Sequence, residues 1–558
     1  MKPITGLVCG AMAAAGLLGI AALNPSLPDA AWAQTKQPAA PIKVSVRRIT
    51  ETQYRHAIAD VFDKDIAINA RFEPEKREDG LLALGAQQLS LTSSGFEQYF
   101  AMASSISDQV MDEKRRDALV GCMPVNAAKA DPGCARKFIV TAGEQLFRRP
   151  MTAAEIDSRL KIANAGAEKA GNFYGGLKLA LTSLLMSPEF LFRVETAEPD
   201  PANPKGYRLD AYSKASRLSY LLWDAAPDAD LRAAARSGAI HSPDVLKQQL
   251  TRMTQSPRFE DGARAFFIDM LQLDGFDNLI KDPAAYPKFN QSVSDGAKEQ
   301  TLKTTIDLLV TQKRDYRDLF TSNETFMNRY LASVYKVPYA SSEAWSRYTF
   351  PASAERSGIL TQVSFLSLFA HPAASSPTRR GVKLHEIFMC EPTPEPPADV
   401  DFSKVQAMAN GTVRTRLLDH MENTGCTACH RRSDPPGLAL EHFDGLGQLR
   451  KLENGQLIDV TAELNGKKFD GAQGLGSLLH EDPRIPACLV RNVYAYGVGR
   501  TPDERDEDYL ADQSAAFAAK GYRLPDLMIQ IVSSPEFFKA SIPSGARPTA
   551  SSSSAQPQ

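Results

Sequence analysis

Beyond residue 33 the sequence has no apolar run approaching the roughly 18 residues a membrane helix needs. It also has no surplus of positive charge. Sixty-four Lys and Arg stand against 66 Asp and Glu, a formal charge of -2, which excludes a broad nucleic-acid surface and a polybasic membrane anchor. Three tryptophans in 558 residues give little material for the exposed aromatic groove of an extracellular polymer-binding scaffold, the least supported of three function classes. No GxSxG, HExxH, P-loop or EF-hand loop occurs, so those chemistries have no foothold. Strand signals are scarce as well. The one short hairpin expected is Gly447–Leu452 with Leu457–Thr461, turning at Asn454-Gly455.

Helical patterning fills most of the rest. Thr50 can cap a helix carrying Tyr54, Ile58, Val61 and Phe62, and further helices are expected over Gly95–Met111, Ala135–Phe147, Ser213–Trp223, Asp244–Met253, Arg264–Leu273 and Ser294–Leu309. A Ser-Pro-x-Phe corner recurs at Ser187–Phe190, Ser256–Phe259 and Ser534–Phe537, where Ser caps, Pro opens the next helix and Phe turns inward. The fold class expected is all-α, multi-module, with a small hairpin near the last module. Length alone suggests three or four domains.

The first 33 residues read as a secretory signal. Lys2 is the charged start, Leu7–Leu23 the apolar stretch, and Ala31-Trp32-Ala33 the cleavage site. The expected location is periplasmic or secreted, with no membrane span after cleavage. Setting Cys9 aside leaves six cysteines. Two of them stand in Cys426-Thr427-Ala428-Cys429-His430. Two thiols one helical turn apart can each form a thioether to a haem vinyl group, and the adjacent His430 then supplies the proximal imidazole to iron. A redox dithiol expects a βαβ neighbourhood that is missing. A zinc site expects a second ligand pair, although His420 and His442 lie nearby. One covalent haem c is therefore the cofactor expected at Cys426, Cys429 and His430.

The other four cysteines suit disulfides in an oxidising compartment, with three pairings open. Cys122 with Cys134 across a short loop, and Cys390 with Cys488, is the preferred set. For the far side of the iron, no Met occurs between His430 and Met528, so the ligand of small stand-alone cytochromes is absent from its usual place. His371, closing the apolar stretch Ile359–Phe369, is the candidate distal ligand or distal-pocket base; the other reading has it bonded to the last helical carbonyls. Arg380 and Arg450 are candidate propionate partners, and Arg500 is considered alongside them. His371 and Arg380 are also the candidates for any catalytic role. Asp434, Glu441 and Asp444 can orient His430 through Nδ1–H or cap turns. The run Asp434-Pro435-Pro436-Gly437 is expected to redirect the backbone.

Several motifs recur in order: Arg47-Arg48-Ile49-Thr50-x-x-x-Tyr54, Phe147-Arg148-Arg149-Pro150, Ser187-Pro188-Glu189-Phe190-Leu191-Phe192-Arg193, and Arg217-Leu218-Ser219-Tyr220-x-x-Trp223. His371-Pro372-x-x-Ser375-Ser376-Pro377-x-x-Arg380-Gly381 and the CxxCH stretch follow. The chain resembles a multi-domain secreted family abundant in planctomycetes and present in proteobacteria, with modules named domain of unknown function 1592, 1588 and 1585. It departs from that family at Ser433, Pro436, His442 and Leu449, where Ile, a larger aliphatic, Asn and Trp are usual. The resemblance implies a monohaem c-type module on a helical scaffold and leaves the substrate open. The organisation expected is a signal at 1–33, helical modules at 34–120, 121–200 (with the disulfide loop) and 201–350, the HP-x-x-SSP module at 351–400, the haem module at 401–540 and a disordered tail at 541–558. Two functions lead: an exported cytochrome in periplasmic electron transfer, and a peroxidase- or dehydrogenase-like haem oxidoreductase with an open sixth iron site. The partner is then a redox protein or a small-molecule substrate.

Overall fold

Helix starts are where side-chain chemistry dictates the fold most directly. Thr50 accepts from Gln53 N while Gln53 reaches back to Thr50 N, and this capping box opens helix Glu51–Val61. Thr152 and Glu155 repeat it for Ala153–Ala170, which ends at Gly171 in the left-handed region. Asp131, Asn172, Asp210 and Asn290 cap four more helices through the same side-chain oxygen logic. The computed structural model describes residues 42–339, 344–393, 411–420 and 424–540, the side chains of 205, 419, 420, 424–426 and 428 excepted. The signal at 1–33, the tail at 541–558 and the Cys426 side chain lie outside the described residues.

The fold is mainly helical, as expected. The Ser-Pro corners bury Phe190, Phe259 and Phe537, with Ser256 and Ser534 accepting from backbone N–H groups and Ser187 making no such bond. The Asn454-Gly455 hairpin is present with short arms, Leu452–Glu453 and Gln456–Leu457, both turn residues at positive φ. A second hairpin follows, Thr461–Leu464 with Lys467–Asp470. Neither that hairpin, nor the strand pair Glu324–Met327 with Ser346–Thr349, nor a three-stranded sheet was expected. Strands β1 (Ile42–Arg48), β2 (Phe192–Asp200) and β3 (Asn203–Leu209) form an antiparallel sheet in the order β1-β2-β3. Its register sets Arg47 opposite Arg193 and Val46 opposite Val194.

Two hydrophobic cores divide the described residues. One gathers Ile49 through Leu191, with Leu177, Leu181, Leu184 and Phe190 fully buried. The other runs from Leu81 to Phe538 and packs helices Ala211–Trp223, Arg258–Met270, Pro377–Met389 and Arg484–Val498 together. Between them a buried glutamate acts as a stitch. Glu195 on β2 takes Arg47 from β1 at 2.9 Å and Arg217 from helix Ala211–Trp223 at 2.5 Å, and all three side chains are at most 6% exposed. Arg47 also donates to the Gly497 carbonyl and Arg217 to that of Phe537, which ties the chain's beginning to its end. Disulfides join Cys122 to Cys134 and Cys390 to Cys488, the preferred pairing. No described helix is long and apolar enough to cross a membrane.

Candidate haem-attachment site

The CxxCH residues stand on helix Thr424–Leu438, which runs on through Pro435 and Pro436. The backbone is not redirected at Asp434–Gly437; the turn comes later, over Leu438–Phe443. Two prolines in succession cost two i→i−4 bonds, and those bonds would have gone to the carbonyls of Arg431 and Arg432, both exposed residues where water can replace the lost donors. Ser433 Oγ donates to the Cys429 carbonyl one turn back.

This helix lies in backbone contact with helix Pro377–Met389. A Cβ on Gly381 would sit 1.6 Å from the Ser433 carbonyl oxygen, and one on Gly437 would sit 1.9 Å from that of Pro377. Glycine at both crossings leaves room for the facing carbonyl, so the two backbones come into direct contact. Gly381→Ala is therefore expected to cost about 1–3 kcal/mol, the usual range for overpacking. A urea denaturation midpoint that does not move would show that the crossing gives way easily.

The approach positions a chain of three polar groups. His430 Nδ1 lies 2.9 Å from Asp434 Oδ2, so the ring carries its proton there and Nε2 is the nitrogen left to ligate. Asp434, buried, accepts in turn from Thr378 Oγ1 at 2.7 Å, across the helix interface. Of the three carboxylates considered for orienting His430, Asp434 does so. Asp444 caps a turn by accepting from Leu446 N and Gln448 N. Glu441, fully buried, accepts from Arg380 at 3.2 Å, Arg450 at 2.6 Å and Ser375 at 2.7 Å. Cys429 is half-buried beside this array and makes no disulfide to the described cysteines.

Arg380 needs correction as a candidate for substrate or propionate. It is completely enclosed, and its two terminal nitrogens go to Glu441 and to the carbonyls of Leu366, Leu440, Phe443 and Asp444. It staples helix Pro377–Met389 to the turn that follows the CxxCH helix. Arg450 is committed to Glu441 and Ser375 but keeps about a quarter of its side chain exposed. Arg500 is bound to Asp506 and Tyr494 near its own loop. His442 is held by Glu355 at 2.7 Å.

His371 is exposed, and its ring makes no hydrogen bond to the helical carbonyls; only its own carbonyl is engaged, accepting from Lys281 Nζ at 3.1 Å. Partial shielding of the ring, then the charges of Arg379 and Lys281, holds its pKa below the usual histidine value and favours the neutral imidazole. His371 and His430 both adjoin the first turn of helix Pro377–Met389, His430 through Asp434 and Thr378, His371 through Arg379, which donates to the Ala370 carbonyl.

Beside the CxxCH helix opens a cavity of about 650 Å³ lined by Arg431, Arg432, Glu463 and Arg484. Its hub is Glu391, which takes buried His385 at 2.8 Å, Arg432 at 2.5 Å and Arg484 at 2.8 Å. Burial raises the Glu391 pKa, but these three donors together overcome it and hold the carboxyl down at about 2. Sequence reasoning missed Thr378 and Glu391. The signal for Thr378 was its place directly after the Ser-Ser-Pro motif, and nothing local marks Glu391.

Five family models match the chain, each described as a protein of unknown function: DUF1587 over residues 47–112, DUF1595 over 134–195, DUF1592 over 209–337, DUF1588 over 356–453 and DUF1585 over 465–537. The five matches follow one another along the chain from residue 47 to residue 537. No curated protein and no solved structure matches it. The resemblance to DUF1592, DUF1588 and DUF1585 is thus borne out, and DUF1595 and DUF1587 join them. The DUF1588 segment holds His371, Arg380, CxxCH and Arg450 together. Disulfide Cys390–Cys488 ties it to the DUF1585 segment, and Glu195 stitches residues of the DUF1587, DUF1595 and DUF1592 segments. None of the descriptions names a cofactor.

Proposed function

We propose that this protein is an exported monohaem c-type cytochrome that carries single electrons outside the cytoplasm. The supporting observation is the His430–Asp434–Thr378 chain, an imidazole next to CxxCH whose far nitrogen is fixed by a buried carboxylate. The donor set fits covalent haem: Cys426 and Cys429 one helical turn apart on a helix, with His430 following. Haem bound there would supply a one-electron Fe(III)/Fe(II) couple. Asp434 sets the tautomer and orientation of the His430 ring, while Thr378 keeps the carboxylate from turning away. The glycine crossing holds those groups in register.

The alternative, a haem oxidoreductase with an open sixth site, is favoured by one observation: a cavity of about 650 Å³ adjoins the CxxCH helix. The discriminating experiment is an optical spectrum of periplasmically expressed protein, oxidised and reduced, with and without carbon monoxide. Low-spin haem indifferent to carbon monoxide is expected, with covalent haem lost in the Cys426→Ala/Cys429→Ala double variant and a higher reduction potential in Asp434→Asn. A haem that binds carbon monoxide hands the argument to the oxidoreductase. A protein that carries no covalent haem ends both readings.

A further inference from the structure

The cavity of about 650 Å³ beside the CxxCH helix has the size of a small-molecule site. Cys429 and His430 are not among its walls, so its lining differs from the described residues that would hold haem. Four stretches of chain build it. Arg431 and Arg432 stand on helix Thr424–Leu438, and Arg484 opens helix Arg484–Val498. Glu463 and Leu464 belong to the hairpin of Thr461–Leu464 with Lys467–Asp470, and Glu391 follows helix Pro377–Met389.

The charges on these walls are unequally occupied. Arg484 is spent: Nη1 donates to Glu391 at 2.8 Å, while Nε and Nη2 donate to Asp482 at 3.0 and 2.6 Å. Arg432 gives Glu391 only Nη2, at 2.5 Å, which leaves Nε and Nη1 open. Glu391 is fixed from behind by buried His385, 2.8 Å away, so Arg432 is held in the wall before any ligand arrives. With Arg484 matched by Asp482 and Arg432 by Glu391, one charge of each sign is left over. Arg431 and Glu463 are both exposed, and neither side chain makes a hydrogen bond or ion pair to the described residues, each other included.

We propose that this cavity binds a small zwitterion of the α-amino acid kind, its carboxylate on Arg431 and the open edge of Arg432 and its ammonium on Glu463. The site does not depend on haem. A guanidinium fork matches a carboxylate in shape and charge, and a carboxylate accepts from an ammonium. A simple anion would leave Glu463 unmatched, and a simple cation would leave Arg431 so. One molecule carrying both charges satisfies both walls. Buried Leu464 and neighbouring Pro392 offer apolar surface to an aliphatic side chain. Because Glu391 already orders Arg432, less side-chain freedom is lost on binding than at a loose arginine.

The test is isothermal titration calorimetry on the full chain at low ionic strength. Glycine, alanine and leucine are the probes, with butyrate and butylamine as controls that each carry one of the two charges. Binding of at least one amino acid in roughly the millimolar range is expected. It should be about tenfold tighter than that of butyrate or butylamine, and about tenfold weaker in Arg431→Gln and in Glu463→Gln, the usual loss for a charged hydrogen bond. Both residues are exposed and bond to no described side chain, so the variants keep the fold, which an unchanged thermal midpoint verifies. No amino-acid binding at about 50 mM probe means that water, or each other, satisfies Arg431 and Glu463, and overturns the proposal. So does binding that either variant leaves unchanged, or butyrate or butylamine binding as tightly as the amino acids.

Discussion

Glu195→Ala is expected to destabilise the protein by about 3–5 kcal/mol, the cost of leaving a buried charge without its partner. Arg47 and Arg217 would both be stranded, 2% and 6% exposed, each keeping a single backbone carbonyl, that of Gly497 or Phe537. Glu195→Gln should cost nearly as much, because an amide holds the shape but not the charge. The triad also predicts a pH dependence. Burial pushes the Glu195 pKa up, but Arg217 and Arg47 outweigh it and hold the carboxyl at about 2. A carboxyl with a depressed folded pKa contributes stability that is complete above its unfolded value, about 4.3, and is lost as pH falls through 4 toward 2. Thermal unfolding followed from pH 6 to pH 2 should show this loss in the native protein and much less of it in Glu195→Gln. Equal acid sensitivity in both would remove Glu195 from the account.

The same triad explains why strand β2 escaped the sequence. Its buried positions alternate correctly, but they are Arg193, Glu195 and Ala197, while Phe192, Val194 and Thr196 are the less buried face. A search for apolar alternation sees a strand turned inside out, or none. The helices were legible because their caps are local chemistry, as at Thr50, and their apolar faces follow the helical period. The cysteine pairing was legible too, since removing the CxxCH pair leaves few choices. Pro435-Pro436 misled for a physical reason: proline forbids two hydrogen bonds but does not forbid helical φ, and at exposed carbonyls the loss is tolerable. Asp434 looked like a turn former and proved to be the partner of His430, a distinction made by Thr378 on another helix. Arg380 was visible as part of a motif, but its role depends on four carbonyls that no spacing in the sequence reveals.

Glu441→Ala should give the second large effect, and a more local one. The DUF1588 segment holds its own Arg–Glu–Arg group, with Arg380 and Glu441 both at 0% exposure and Arg450 at the rim. Removing the carboxylate leaves Arg380 buried, yet four carbonyls still surround it, so the expected cost lies toward the lower end of about 3–5 kcal/mol and below that of Glu195→Ala. Arg450 loses its ion pair and keeps only the hydrogen bonds to Ser375 and the residue-441 backbone carbonyl. The turn after the CxxCH helix should loosen first, because it is held to helix Pro377–Met389 through these side chains. That helix also carries Thr378, so the position of Asp434, and with it the His430 ring, depends on the same clamp. Hydrogen exchange should therefore rise over residues 438–450 and around His430 before the rest of the chain responds. If exchange instead rises uniformly, Glu441 supports the fold as a whole and has no particular hold on the CxxCH helix.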